Sequence, residues 1–149
     1  MSIGKGLLAG LAATVLLSIL MVLKQMMGIM PELDLPRMIA GMMGAPDTPM
    51  IGWLVHFMIG VLGYGFAIAY VAKSAHGRSM VSTGILISVV GWLIMMLVLM
   101  PMAGAGFFGM NMGVMAPVMT LMLHVVFGAM LGWTYERLLG SGQRTVPVH

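Results

Sequence analysis

Two histidines lie in the middle of strongly apolar stretches. The segments "WLVHFMIGVLGYG" at 53–65 and "LMLHVVFGAMLGW" at 121–133 each carry a histidine with a glycine four residues later, His56 with Gly60 and His124 with Gly128. On a helix, positions i and i+4 lie on the same face. A neutral imidazole has one hydrogen-bond donor and one acceptor nitrogen, and it also binds metals and haem iron. In both segments, the spacing therefore places an imidazole that can bind a hydrogen-bond partner or a metal on the same helix face as a glycine.

The composition indicates that these stretches are surrounded by lipid. The chain has 149 residues, of which 60% are hydrophobic and 7% charged, whereas soluble domains have about 25% charged residues. The absence of cysteine excludes disulfides, iron–sulfur clusters, thiolate zinc sites and c-type haem attachment. The net charge of +3 is typical of basic loops at a membrane and does not indicate nucleic-acid binding.

The hydropathy pattern predicts an all-α integral membrane four-helix bundle in a single transmembrane domain, 1–149. Each predicted span has roughly the 17–25 residues needed to cross about 30 Å of hydrocarbon. The spans are 7–27, 51–71, 84–100 and 118–138. They leave two outer loops, 28–50 and 101–117, an inner loop, 72–83, and a cytoplasmic tail, 139–149.

The positive charges predict the orientation. Five cations lie on one side of the predicted bundle, and only Arg37 and Lys24 lie on the other; the five are Lys5, Lys73, Arg78, Arg137 and Arg144. Because Lys and Arg concentrate on the cytoplasmic side, both termini are expected in the cytoplasm. Lys24, near the end of the first span, is expected to extend its ammonium to the outer interface.

The two outer loops differ in character. The piece "PRMIAGMMG" at 36–44 predicts a short helix on the membrane surface, opened by Pro36 and closed near Gly44. Residues 101–117 are apolar but rich in glycine and bounded by prolines, which is too irregular for a span. Exposed backbone in lipid is costly, so this loop must be covered by protein or lie in the interface.

His56 and His124 are expected at matched depths. They lie five and six residues into predicted helices that run in the same direction, which places each roughly 8–10 Å below the outer surface. The pattern predicts two helical hairpins repeated in parallel, with both imidazoles facing the bundle interior.

The histidine pair has a structural interpretation and a haem-binding interpretation. In the structural one, each imidazole bonds to a neighbouring helix and the glycines allow close packing, as in "GAMLG" at 128–132. In the other, His56 and His124 are the axial ligands of a b-type haem. Gly60 and Gly128 would then make room for the porphyrin, with Lys24 and Arg37 near its propionates.

A third interpretation is a Cu(I) site. The chain has 21 methionines, and by the predicted topology 17 of them lie in the outer half. Closely spaced thioethers, as in "MPM" at 100–102 and "MNMGVM" at 110–115, are ligands that Cu(I) prefers. The candidate ligands are His56, His124, Met58, Met96, Met100, Met102, Met110, Met112, Met115 and Met122. Methionine is also a flexible apolar filler, which is the alternative explanation of its abundance.

The chain resembles a family of small four-helix prokaryotic membrane proteins of unknown function. The resemblance rests on "DLPRMIAGMMG" at 34–44, "GWLVHFMIGVLGYGFAIAY" at 52–70 and "LHVVFGAMLGWTYERL" at 123–138, and it covers most of residues 5–138. It implies the four-span architecture and no particular activity.

These patterns favour a non-catalytic protein. The sequence offers no Ser–His–Asp pattern, phosphate loop or pair of carboxylates within the spans. Its apolar exterior with small-residue stripes suits contact with lipids, other transmembrane proteins or a second copy. The expected function is an accessory or assembly subunit of a larger membrane complex, respiratory or copper-containing. The alternative is a haem b or Cu(I)-binding membrane protein that uses His56 and His124.

Overall fold

The computed structural model describes residues 2–141. Within that range the chain forms four long apolar helices: α1 Ile3–Met26, α3 Pro49–Val71, α4 Met80–Met102 and α5 Met115–Ser141. A short helix, α2, covers Leu35–Met42, and a 3₁₀ segment covers Phe107–Met112. Each long helix can cross a bilayer by length and composition. The protein is therefore an all-α, multi-pass membrane protein, as predicted.

The long helices overlap the four predicted spans. The part of the predicted tail beyond Ser141, with Arg144 and His149, lies outside the described residues.

The two longer connections meet at one end of the bundle, here called the loop end (residues 27–48 and 103–114). Leu33 from the first connection and Ala105 from the second pack in one core with Met95, Met96 and Met100 of α4. The short connection, 72–79, therefore lies at the opposite end, since successive long helices alternate in direction.

Helices α1 and α3 pair through glycine. A Cβ atom added to Gly10 would lie 2.6 Å from the Gly60 carbonyl oxygen, and one added to Gly6 would overlap the Gly65 carbonyl. A Cβ on Gly60 would overlap the Thr14 side chain. Backbones approach this closely in membranes only where side chains are small, because packing rather than the hydrophobic effect drives helix association there.

Helices α4 and α5 pair in the same way. A Cβ on Gly128 would lie 2.5 Å from the Gly84 carbonyl oxygen and 2.7 Å from the Ile85 Cα, and a Cβ on Gly132 would overlap the Met80 carbonyl. The small-residue stripes expected on the exterior therefore lie inside the hairpins. The two hairpins repeat one packing device, which agrees with the predicted parallel repeat.

The hairpins join through a core that excludes large side chains from α1. Ala9 and Ala13 of α1 are fully buried against Phe127 and Leu131 of α5. Ile68 of α3 completes this core.

Two of the long helices contain π-helical segments. These are Ile59–Tyr64 in α3 and Met95–Leu99 in α4. A π segment widens the helix by one residue per turn and is frequent at functional sites.

The short helix predicted at 36–44 is confirmed as α2. Asp34 caps it by accepting a hydrogen bond of 3.1 Å from the Arg37 backbone N–H, and Pro36 lies in its first turn. A Cβ on Gly52 would overlap the Pro36 carbonyl. Close approach of backbones thus fixes α2 on the start of α3.

The second connection is irregular, as predicted, and partly covered by protein. Phe108 and Gly109 have positive φ angles of 56° and 64°, and the Asn111 side chain donates a hydrogen bond of 3.1 Å to the Gly104 carbonyl. Phe108 packs edge-on to Trp92 of α4, and Ala105 is buried.

The expectation that Lys24 extends to the outer interface is wrong. Its side chain is buried, with 8% of its surface exposed. Its Nζ donates hydrogen bonds to the carbonyls of Ile29 at 3.1 Å, Met30 at 3.0 Å and Leu33 at 2.9 Å. Gln25 Oε1 also lies 3.1 Å from Nζ. An ammonium has three donors, and these four acceptors saturate it. Met30, in the left-handed region with φ 46°, lies in the turn that Lys24 binds.

We expect Gly128→Ala to destabilise the protein by about 1–3 kcal/mol, because the methyl group collides with the backbone of α4. Thermal unfolding in detergent measures this. Gly63→Ala is the matched control, since a Cβ there meets only Ile59 Cγ2 at 3.9 Å. Equal unfolding temperatures for the two variants would contradict the packing of α4 against α5.

We expect Lys24→Met to destabilise the first connection by about 1–3 kcal/mol, because it removes one donor from each of three carbonyls, of which Met30 keeps the Leu33 N–H. Hydrogen exchange over residues 27–34 should accelerate relative to the native chain. Lys73→Met is the control, since Lys73 is exposed in the short connection. Unchanged exchange in Lys24→Met would show that the turn is stable without its cation.

Candidate functional site

A cleft of about 570 Å³ separates α3 from α4. The two helices meet mainly between Gly65–Val71 and the first part of α4, and they diverge towards the loop end. Both π segments line this lateral cleft, through Ile59, Gly60, Gly63, Tyr64, Met95, Val98 and Leu99. Its lining residues Ile59, Ile94 and Val98 are about half exposed on two helices apolar enough to span a membrane, so the cleft reaches the surface that faces the hydrocarbon.

A second cavity of about 430 Å³ lies at the loop end, between α1, α2 and α5. Its lining is more polar and includes Lys24, Gln25, Asp34 and Arg37. The lateral cleft and this loop-end cavity share four lining residues: Leu17, Leu35, Met95 and His124. The two spaces therefore adjoin at His124.

The tautomer of His124 follows from its partner. Its Nδ1 lies 2.8 Å from the Thr120 carbonyl oxygen, and a carbonyl can only accept, so Nδ1 carries the proton. Nε2 then holds the lone pair, and it makes no hydrogen bond to residues 2–141. His124 therefore lines both cavities and carries an acceptor, or metal-binding nitrogen, that has no hydrogen-bond partner among residues 2–141.

The pairing of α4 with α5 holds His124 in place. The Ser88 hydroxyl donates to the His124 carbonyl at 2.5 Å, and Trp92 Nε1 donates to Thr120 Oγ1 at 3.0 Å. Each bond ties one turn of α5 to α4. The Trp92 bond holds Thr120, whose carbonyl accepts from His124 Nδ1. It therefore also fixes the orientation of the imidazole.

His56 is held differently. Its Nε2 lies 3.4 Å from Ser18 Oγ, and Ser18 gives its only proton to the Thr14 carbonyl at 2.6 Å. His56 Nε2 is therefore the donor of that contact. Trp53 and Phe57 pack edge-on to the ring, with centroids at 5.7 and 5.9 Å. His56 lines the lateral cleft, as His124 does, but its Nε2 binds α1.

Tyr64 is a cleft residue that sequence reasoning missed. Its ring packs edge-on to Phe127 at 4.8 Å, and a Cβ on Gly91 of α4 would overlap its hydroxyl. The hydroxyl makes no hydrogen bond within the described part of the chain. The signal was a tyrosine between two glycines, "GYG" at 63–65, in the interior of a predicted span.

The two predicted glycines have different roles. Gly60 lines the lateral cleft while touching Thr14. Gly128 faces Gly84 and Ser88 of α4. The room at Gly128 is filled by a helix backbone, so this glycine does not clear space for a porphyrin.

The predicted copper-binding methionines divide between core and surface. Met96, Met100 and Met112 pack at the loop end with Met30, Met38, Met95 and Met119. The other five are more than half exposed: Met58, Met102, Met110, Met115 and Met122. Of the loop-end methionines, Met95 and Met100 line the loop-end cavity with His124.

The charges near the site are few. Arg37 has a largely exposed guanidinium whose Nε lies 4.0 Å from Asp34 Oδ2, whereas Lys24 is saturated by backbone carbonyls. Of the two cations expected near haem propionates, Arg37 alone has donors to offer. Among residues 2–141, no group of three His, Cys, Asp or Glu side chains could hold a metal ion.

The comparisons with known proteins identify one family. No curated protein and no solved structure matches the chain. The sequence model of one family, described as a family of unknown function (DUF6789), matches residues 1–146. Because the match spans nearly the whole chain, the protein belongs to the DUF6789 family.

Proposed function

We propose that this protein is a small, non-catalytic membrane subunit that holds a membrane-soluble ligand in its lateral cleft for a larger membrane complex. One observation carries the proposal: His124, whose Nε2 makes no hydrogen bond among residues 2–141, lines a cleft between α3 and α4. A polar atom exposed in such a place is costly without a partner.

The shape of α3 and α4 supports binding. The cleft of about 570 Å³ lies within the 300–1,000 Å³ typical of small-molecule sites. Both π segments border it, and such segments are frequent at functional sites. Its lining combines many apolar side chains with few polar atoms, which is typical of a ligand site.

The accessory role is supported by the surface of α4. Only 17% of the residues in its most apolar stretch are buried within the chain, compared with 28–33% in the other long helices. Eight of the 23 residues of α4 are exposed within the chain, and these face lipid, another transmembrane protein or a second copy. Large apolar side chains form this surface, among them Leu86, Val90 and Leu97.

The proposal includes an orientation in a bacterial or archaeal cytoplasmic membrane. Lys73, Arg78 and Arg137 lie at the end opposite the loop end, and cations favour the cytoplasm. The loop-end cavity would then face the outside, and the lateral cleft would lie within the membrane.

Haem b is one ligand that the site supports. Metal-binding histidines commonly donate their second N–H to a carbonyl, as His124 does to Thr120. Ligation by His56 Nε2 would require loss of its contact with Ser18, and Arg37 is the cation left for a propionate.

Cu(I) is the other metal-containing alternative. Its supporting observation is that Met95, Met100 and His124 line one cavity, and thioether with imidazole is a donor set that Cu(I) accepts.

Filling the cleft tests the function. We expect Gly63→Leu to expel the ligand, because Gly63 lines the cleft and has space for a side chain. Gly4→Leu is the matched control on an exposed helical glycine with no neighbour within 4 Å. The measurement is mass spectrometry of organic extracts after mild detergent purification, with an optical spectrum and metal analysis of each sample.

The expected result is a compound present in the native chain and in Gly4→Leu, and several-fold depleted in Gly63→Leu. A Soret band lost in His124→Ala would identify haem, and bound copper lost in Met95→Leu would identify the copper site. Identical extracts, spectra and metal contents for native chain, Gly63→Leu and Gly4→Leu would overturn the proposal.

The orientation has its own test. A reporter fused after His149 should be active only as a cytoplasmic probe, because the Lys and Arg bias places both termini inside. A reporter inserted at Gly44, in the first connection, should give the opposite signal. Periplasmic activity at the C-terminal fusion would reverse the orientation.

A further inference from the structure

We infer that the lateral cleft binds a quinol, a membrane-soluble aromatic ring that carries hydroxyl groups and an apolar tail, in preference to its oxidised quinone. This inference rests on the proposed function and names the ligand class of the same site.

The walls of the cleft require a lipophilic ligand. Apolar side chains from both helices form them, including Ile59, Ile94 and Val98. These three residues are also about half exposed at the surface, so the cleft is continuous with the surrounding hydrocarbon. A ligand with an apolar tail can enter from the bilayer and leave its tail in the mouth.

The imidazole of His124 requires a hydrogen-bond donor. Its Nδ1 proton is committed to the Thr120 carbonyl, and the turn that carries this carbonyl is bound to α4 through Trp92. Nε2 can therefore only accept while that bond is made. A hydroxyl group satisfies it, whereas a carbonyl oxygen would face it lone pair to lone pair.

Tyr64 supplies the second polar contact. Its hydroxyl can donate or accept, it lines the same cleft as His124, and it makes no hydrogen bond among residues 2–141. The rings of Tyr64 and Phe127 form an aromatic corner of the kind that packs against a planar ring. The third polar side chain of the cleft, His56, binds Ser18 through its Nε2. A ring with two oxygen substituents matches the other two, His124 and Tyr64.

The test compares three ligands on the native chain in detergent, under argon. They are a decyl-substituted benzoquinol, the corresponding benzoquinone and the dimethyl ether of the quinol, measured by equilibrium dialysis. We expect the quinol to bind roughly fivefold to tenfold more tightly than the other two, the effect of one hydrogen bond in a buried site. The dimethyl ether separates the loss of donors from any difference in redox state.

Variants locate the effect. His124→Leu should bring quinol affinity down to that of the quinone, and Tyr64→Phe should lower it about twofold to fivefold while keeping the ring. His76→Ala, in the short connection, should leave all three affinities unchanged. The comparison of ligands on the native chain needs no variant, so misfolding of His124→Leu would not remove the test.

Equal affinities for the three ligands on the native chain would overturn the inference, as would an intact quinol preference in His124→Leu. If no ligand binds but Gly63→Leu still loses a native compound, the quinol assignment fails and the proposed function stands. If Gly63→Leu also loses nothing, both fail.

Discussion

The contact between helix backbones within each hairpin is the constraint on which the rest of the structure depends. Lipid offers no hydrophobic force to press helices together, so dispersion at short range must do so. Gly10 against Gly60 and Gly84 against Gly128 supply that approach. The close backbone contacts join α1 to α3 and α4 to α5. Between the two hairpins, α3 faces α4 without close backbone contact along most of its length. The lateral cleft is the space left by this pairing.

Tyr64 keeps that space from closing. Its ring extends from α3 to Gly91 of α4 and packs against Phe127. The contact between α3 and α4 at this point is therefore made by an aromatic side chain, whereas the contacts within each hairpin are made by glycines. The π segments on either side also change which residues face the cleft, since each adds a residue to a turn. Atoms that line an empty space lose dispersion contacts, so lipid or a ligand in the cleft would stabilise this arrangement.

Much of this could be predicted from the sequence, and the failures have identifiable causes. Hydropathy over about 20 residues reports each span without tertiary information, and Pro36 with Asp34 marks the start of α2 through local hydrogen bonding. The burial of Lys24 could not be predicted, because its acceptors belong to a turn whose path depends on the whole loop-end core. The periodicity of hydrophobic residues likewise does not predict the π segments. It also does not distinguish the methionines that pack at the loop end from those that face outward.

The repeated histidine is the place where the two hairpins differ. In the first, the serine on the partner helix meets the imidazole itself, Ser18 with His56. In the second, Ser88 meets the backbone carbonyl of His124, and the ring turns its Nδ1 to its own helix. The first arrangement uses the imidazole to hold two helices, which is the structural interpretation of the motif. The second holds the helices without the imidazole and leaves Nε2 without a hydrogen bond among residues 2–141. In the proposed function, the motif therefore serves packing in the first hairpin and ligand binding in the second.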